Sequence, residues 1–196
     1  MEILEVIGGV AILDANIVYP IKLTDFFLTA ASLGLLRPLV SPAIVAEARR
    51  HIIKDNPDLA PAKIDRRFKA VVTATPGSEQ TPDELTDPLA LTIVNAKDHH
   101  VLAAALHHDA GFVITSDKNL VKEINEWRRQ TSMPHPIWGA ITPNDLASHL
   151  VDLEPELVIL TIRRMADRTK NPPHTATEIL QALAKDLPAL RALTAD

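Results

Sequence analysis

The stretch Val10 to Pro20, V-A-I-L-D-A-N-I-V-Y-P, constrains the fold more than any other part of the chain. Val10 to Leu13 is a short apolar run with no polar face, the pattern of a strand buried on both sides in a parallel sheet. It stops at a carboxylate, Asp14, where a central strand would end. Pro20, with the polar pair Thr24 and Asp25, then signals a turn into a helix. Open α/β sheets bind ligands in the crevice at the carboxyl ends of their strands, so an acid there is a candidate for metal or phosphate chemistry. Phe112 to Thr115 repeats the arrangement, a short apolar strand followed by Ser116-Asp117.

Between and beyond these runs, strand and helix patterns alternate. Leu23, Phe26, Phe27 and Ala30 give Ile21 to Ala31 the spacing of an amphipathic helix, ended by Gly34. Leu35 to Val40 suits a second strand despite Pro38. Ser41-Pro42 supplies an N-cap and a first-turn proline for a helix that runs to about Ile53 and carries Glu47. Asn56 to Pro61 is a break, Ala62 to Ala74 a helix bearing Arg66-Arg67-Phe68-Lys69, and Pro76 to Pro88 a loop. Leu89 to Val94 reads as extended. Val101 to Ala110 is a strong Ala- and Leu-rich helix pattern, closed by Gly111. Leu120 to Gln130 reads as helix, Ile137 to Ile141 as strand, and Thr142-Pro143-Asn144-Asp145 as a helix start. Such alternation implies an α/β fold, a three-layer sandwich around a central, mostly parallel sheet, over residues 1–150. From 151 to 196 the pattern is helical only: Pro155 to Arg168, a break at Asn171-Pro172-Pro173, then Thr175 to Ala192.

Bulk composition narrows the function classes. With 196 residues, 46% hydrophobic and 23% charged, the chain has the makings of one soluble domain with an appendage. Without cysteine it has neither disulfides nor thiolate metal ligands. No apolar run approaches a membrane span, and Glu2 and Glu5 stand where a signal peptide would be basic, so a cytoplasmic protein that does not enter membranes is expected. A net charge of −5 argues against a protein that coats nucleic acid unspecifically, and 4% aromatics leave little for base stacking. Neither excludes a nuclease, whose acids hold a cation while a local basic rim binds substrate.

Four acids fall at topologically meaningful places: Asp14, Glu47, Asp98 before the Ala-rich helix, and Asp117. Hard cations such as Mg²⁺ and Mn²⁺ take carboxylate oxygens, and an acid cluster without a cation repels itself. Position alone does not decide the matter. A chain with 25 acids puts some near strand ends, and Glu47 taken singly is equally a solvated helix residue.

Residue order adds a further clue. L-D-A-N-I-V-Y-P at 13 to 20, S-P-A-I-V-A-E at 41 to 47, K-D-H-H-V-L-A-A-A at 97 to 105 and I-T-S-D at 114 to 117 together resemble the PIN-domain family, including the VapC-like ribonuclease toxins of bacterial toxin–antitoxin pairs. The resemblance covers about residues 10 to 150. It implies that Asp14, Glu47, Asp98 and Asp117 are the catalytic acids and jointly hold Mg²⁺ or Mn²⁺. Asn16 and Thr115 match the polar residues that accompany the first and fourth acids, and on that resemblance are candidate substrate contacts. The family's activity would be hydrolysis of RNA phosphodiester bonds, with tRNA or rRNA as substrate, a cognate antitoxin as partner and a homodimer as assembly. The chain departs from the short toxins in its charged segment K-N-L-V-K-E-I-N-E-W-R-R-Q after Asp117 and in the helical tail.

Several residues allow two readings. Lys97 and Lys118 flank the acids and are candidate phosphate contacts, with His99 beside Asp98 as a third substrate contact. Arg66, Arg67, Lys69, Lys122, Arg128 and Arg129 either bind phosphates or form solvated faces. His100 and His107 or His108 lie about two helical turns apart, roughly 11 Å, too far to grip one ion together, so surface or supporting roles are expected. Trp127 and Trp138 either pack or stack on bases. The tail's Leu157, Leu160, Ile162 and Met165, then Ile179, Leu180, Leu183 and Leu187, either pack back on the domain or bind a partner chain. Two other functions compete with the nuclease. One is a non-catalytic PIN-fold module binding RNA or protein. The other is an aspartyl-phosphate phosphohydrolase, which needs a second acid where Asn16 stands.

Overall fold

The computed structural model describes residues 7–131 and 139–194. Trp138, Glu2, Glu5 and the beginning of the Ile137 to Ile141 stretch lie outside the described residues. Four strands, β1 (Val10–Leu13), β2 (Arg37–Leu39), β3 (Phe112–Ile114) and β4 (Gly139–Ile141), form an all-parallel sheet in the order β2-β1-β3-β4. The buried residues of β1 and β3 reflect helices on both sheet faces, as their unbroken apolar runs require. Pro38, which cannot donate to a ladder, sits on the edge strand β2, where that loss is tolerated. The chain leaves β1 for β2 on one side and later returns to β3 on the other. The carboxyl ends of β1 and β3 therefore form the switch point at which such sheets bind ligands.

Ten helices connect and cover the strands within the described residues: α1 (Ala15–Val18), α2 (Ile21–Ser32), α3 (Pro42–Asp55), α4 (Pro61–Ala74), α5 (Pro88–Ile93), α6 (His99–His107), α7 (Lys118–Gln130), α8 (Pro143–Leu153), α9 (Pro155–Arg168) and α10 (Ala176–Leu183). The chemistry of their ends is largely the expected one. Ser41 and Thr142 cap α3 and α8 through their hydroxyls, with Pro42 and Pro143 in the first turns. Gly34, at φ 82°, ends α2 in a left-handed turn. There its N–H donates to Ala31 O and that of Leu35 to Ala30 O, the paired bonds of a Schellman motif.

Three expectations are corrected. Leu89 to Val94 is not extended but lies largely in α5. Asp87 Oδ1 accepts from the Ala90 N–H (2.7 Å) and Pro88 opens the first turn. A short apolar run cannot separate strand from helix, but this cap and proline do. Gly111 does not close the Ala-rich helix. Asp109 takes the left-handed conformation at φ 48°, the Ala110 N–H returns to Ala105 O, and the Gly111 N–H already serves the sheet by donating to Val10 O. Thr175 to Ala192 is not one helix: α10 stops at Leu183, and a 3-10 segment, Pro188–Ala192, follows.

The tail packs back on the domain. Helix α9 lies against α2, α10 against α9, and the Pro188–Ala192 segment against α8. Val158, Ile162, Met165, Leu180, Leu183, Leu187 and Leu190 are buried in the same core cluster as the sheet, while Leu160 stays partly exposed. Arg168 donates to Asp25 Oδ1 (2.8 Å) and to Thr29, and the Ala189 N–H donates to Asn144 Oδ1 (2.9 Å). No described helix is long and apolar enough to cross a membrane.

Candidate active site

Asp14 leaves β1 directly into α1 and caps that helix, which is why its carboxylate is held rather than free. It is 6% exposed. Its Oδ1 accepts from the Ala15 N–H (2.6 Å), and its Oδ2 accepts from Asn16 Nδ2 (2.5 Å) and Thr115 Oγ1 (2.6 Å). A carboxylate offers about four acceptor positions, so these bonds leave roughly one, on Oδ1, for another partner. Thr115 is fully buried. Its hydroxyl also accepts from Asn16 Nδ2 and from the Asp117 N–H, both at 3.0 Å, and Asn16 Oδ1 accepts from the Ser116 N–H (2.9 Å). Asn16 and Thr115, expected as substrate contacts, have their polar atoms engaged in tying β1 to the turn after β3.

Asp117 caps α7 with Oδ1, which accepts from the N–H groups of Asn119 (2.8 Å) and Leu120 (3.3 Å); Oδ2 faces Lys97. The Lys97 ammonium stands 3.5 Å from Asp117 Oδ2 and 3.6 Å from Asp98 Oδ2. Expected to meet substrate phosphate, it pairs with two of the acids in this structure. Lys118, also expected there, begins α7 as an exposed residue outside the cavity lining. Asp98 ends a short 3-10 turn, Ala96–Asp98, that leads into α6.

These acids meet in one cavity of about 360 Å³, lined by Asp14, Glu47, Asp98 and Asp117 together with Ala15, Asn16, Tyr19, Ala48, His51, Asp55 and Lys97. Tyr19, His51 and Asp55 escaped the reading of the sequence. The signal was present, because Glu47, His51 and Asp55 recur every four residues and so share one face of α3. The Tyr19 hydroxyl donates to Asp55 Oδ2 (3.2 Å) at the cavity's edge.

Of two adjacent histidines, His99, the candidate substrate contact, lies outside the cavity lining, and His100, expected in a surface or supporting role, meets an acid. His99 Nε2 lies 2.8 Å from Val94 O and His99 is absent from the lining, whereas His100 Nε2 is 3.2 Å from Glu47 Oε2. Elsewhere Arg67 is structural: its guanidinium donates to Val18 O (2.6 Å) and Tyr19 O (2.8 Å) at the end of α1, and burial lowers its pKa. Trp127 is fully buried and donates from Nε1 to Asp87 Oδ1 (3.2 Å), so it packs rather than stacks on a base. His108 Nε2 meets Thr81 Oγ1 (2.7 Å), and His107 is exposed on the same helix end.

Burial raises the pKa of Asp14, and the Glu47 charge adds to the rise, against the opposing Thr115 and Ala15 hydrogen bonds and the His100 ring. Burial also raises Asp98, with Asp14 and Asp117 adding and Lys97 opposing. For Asp117 burial acts in the same direction, but the Asn119 and Leu120 N–H groups and Lys97 outweigh it and the pKa is lowered. Among the described residues, no three acids or imidazoles stand close enough to grip one ion as placed. The donor chemistry nonetheless fits a hard divalent cation. Carboxylate oxygens from four separate elements line one cavity, and two of the acids carry a cost of ionisation that a cation would relieve.

A PIN-domain family model matches residues 10–119, and a model of the VapC50 C-terminal domain matches residues 143–193. No curated protein and no solved structure matches the chain. The first match spans β1 to the start of α7, with all four acids; the second spans α8, α9, α10 and the segment after it. The chain therefore belongs to the PIN-domain family, as a VapC-like member with a C-terminal extension.

Proposed function

We propose that this protein is a metal-dependent endoribonuclease that hydrolyses RNA phosphodiester bonds, and the toxin of a type II toxin–antitoxin pair. The observation that carries the reading is the convergence of Asp14, Glu47, Asp98 and Asp117 on one cavity at the sheet's switch point. These acids would hold Mg²⁺ or Mn²⁺. Such an ion supplies activation of water and neutralisation of charge on the phosphodiester, so no side-chain nucleophile is needed. The chain's own part is to aim the acids. Asn16, Thr115 and the Ala15 N–H hold Asp14 in the cavity wall with one acceptor position left, and the α7 terminus holds Asp117 through Oδ1, leaving Oδ2 for the site. Lys97 and Lys118 are assigned to the phosphates flanking the cut; a cation held by Asp98 and Asp117 would weaken their pairing with Lys97. We divide the chain into a nuclease part, 1–150, and the helical extension, 151–196. It acts in the cytoplasm as a homodimer on tRNA or rRNA, under the control of a cognate antitoxin.

Cleavage of total tRNA and rRNA by the purified protein tests this. Discrete fragments with Mg²⁺ or Mn²⁺, absent with EDTA and absent for Asp98→Asn, are the expected result. A non-catalytic RNA- or protein-binding module is the other reading, and the Lys97 ammonium between two of the acids is what favours it. An intact, metal-binding wild type that cuts none of these RNAs would decide for it.

Acidity gives a second check. Asp14 and Asp98, both held above the ordinary aspartate range, must be ionised to take a cation, so protons compete with the ion from a higher pH than at an exposed carboxylate. Mg²⁺ affinity, measured by calorimetry as the pH is lowered, should begin to fall at a higher pH than at a site of exposed aspartates. In the metal-free protein the same shifts mean that the folded state binds more protons than the unfolded one. Their contribution to stability is therefore greatest below the ordinary aspartate pKa and declines as pH rises through the raised values. A flat affinity profile would contradict the assignment of these two acids.

A further inference from the structure

His100 comes from the first turn of α6 and points at an acid contributed by α3. Its Nε2 lies 3.2 Å from Glu47 Oε2, close enough for an ion pair, yet out of line for a hydrogen bond. Among the described residues it is the one buried side-chain nitrogen or oxygen, outside the exposed residues, that has no hydrogen-bond partner. A buried, unmatched polar atom is costly and is rare in folded proteins unless the site uses it. The ring does not line the cavity, whereas Glu47 does, so His100 stands behind the acid and away from substrate. The second imidazole near Glu47, His51, is 4.0 Å from Oε1 and sits at the cavity with its side chain mostly exposed. It has no comparable hold on the carboxylate.

We propose that His100 is the positioning residue for Glu47. Its Nε2, 3.2 Å from Oε2 and without another partner, fixes the orientation of the Glu47 carboxylate and so sets how tightly the four acids bind a divalent cation. The inference rests on the metal-binding reading given above and extends it to a residue behind the acids. Supporting partners of this kind fix the orientation and basicity of the groups that touch a metal, and removing one lowers metal affinity by about 10- to 100-fold. Glutamine carries an amide nitrogen near the position of a histidine Nε2 and retains an N–H donor; leucine fills similar space without one.

The test is Mn²⁺ binding by calorimetry to the full-length wild type, His100→Leu and His100→Gln, with thermal melts of each in EDTA. Expected is a loss of affinity of about 10- to 100-fold in His100→Leu, recovery close to wild type in His100→Gln, and similar metal-free melting temperatures. A purely structural histidine would lower the metal-free melting temperature and leave Mn²⁺ affinity unchanged. Equal affinity in wild type and His100→Leu overturns the proposal, as does a folded His100→Gln that binds as weakly as His100→Leu. Should the leucine variant fail to fold, a wild-type measurement decides: in protein labelled with ¹⁵N-histidine, Mg²⁺ should move the His100 Nε2 resonance in step with binding, and a resonance that stays put refutes the idea. If wild type binds neither ion, the metal reading itself falls; if wild type binds and His100→Leu binds equally well, only the role of His100 does.

Discussion

A chain ending at Leu153 is expected to be recovered as aggregate, or as a species without a cooperative melt. Helix α9 covers α2, and the final 3-10 segment covers α8, so truncation removes one side of a shared core. Val158, Ile162, Met165, Leu183, Leu187 and Leu190 are each at most 2% exposed. Burying a side chain of this size stabilises by about 1.5–3 kcal/mol. Removing several such side chains from the core at once matches the roughly 5–15 kcal/mol by which a whole domain is stable. Arg168→Ala should by contrast cost no more than about 1 kcal/mol, since its pairing with Asp25 is largely solvent-exposed. Soluble yield and circular-dichroism melts of the two variants check both statements. A truncated chain that melts cooperatively near the full-length temperature would make the extension an accessory rather than part of the fold.

Asp14→Asn is expected to lose metal-dependent cleavage by about a thousandfold, the equivalent of about 4 kcal/mol of transition-state stabilisation. The usual near-isosteric exchange is not benign at this position. Both Asp14 oxygens accept from N–H or O–H donors, so whichever way the amide is turned, its NH₂ faces a donor. A modest loss of metal-free stability, about 1–3 kcal/mol, should accompany the loss of activity. The ion-dependent part separates the two effects. With Mg²⁺ at about a hundred times its dissociation constant, the wild type should gain about 2.7 kcal/mol, or roughly 5–10 °C in melting temperature, and Asp14→Asn should gain almost none. Equal Mg²⁺-induced shifts in both proteins would remove Asp14 from the metal centre.

The strands that matter most were legible because burial on both faces leaves an unambiguous apolar run, with Asp14 directly after the first and Asp117 in the turn after the second. The helix at 155–168 was equally legible, bounded by Pro155 and the break before Asn171-Pro172-Pro173. Other features turned on details that periodicity does not carry. Asp87-Pro88 outweighed the strand-like look of the residues after it, and Pro188 interrupted a pattern that is apolar at helical spacing throughout. At the site, which acids converge followed from residue order and the family resemblance, but which histidine accompanies them did not. Successive residues on a helix are turned about 100° apart, so the phase of α6, which begins at His99, decides that His100 and not His99 meets Glu47. The engagement of Lys97 with Asp98 and Asp117 lies one level further off, because an ammonium beside acids reads in sequence as a substrate contact.

The central place of β1 also fixes when in the life of the chain the site can exist. One neighbour, β2, follows β1 after only two helices, α1 and α2, but the other, β3, leads into Thr115, 101 residues downstream of Asp14. A ribosome that has made the first hundred residues has already delivered Asp14, Glu47 and Asp98. It has not yet delivered the strand beside β1, the hydroxyl that holds Asp14, or Asp117. Long-range pairing of this kind forms late and slowly. A nascent chain therefore carries most of the acids with none of their alignment, and on the reading proposed here the hazard to the cell begins only after translation has passed β3. On that same reading, the interval in which an antitoxin would have to capture the finished protein opens at that point.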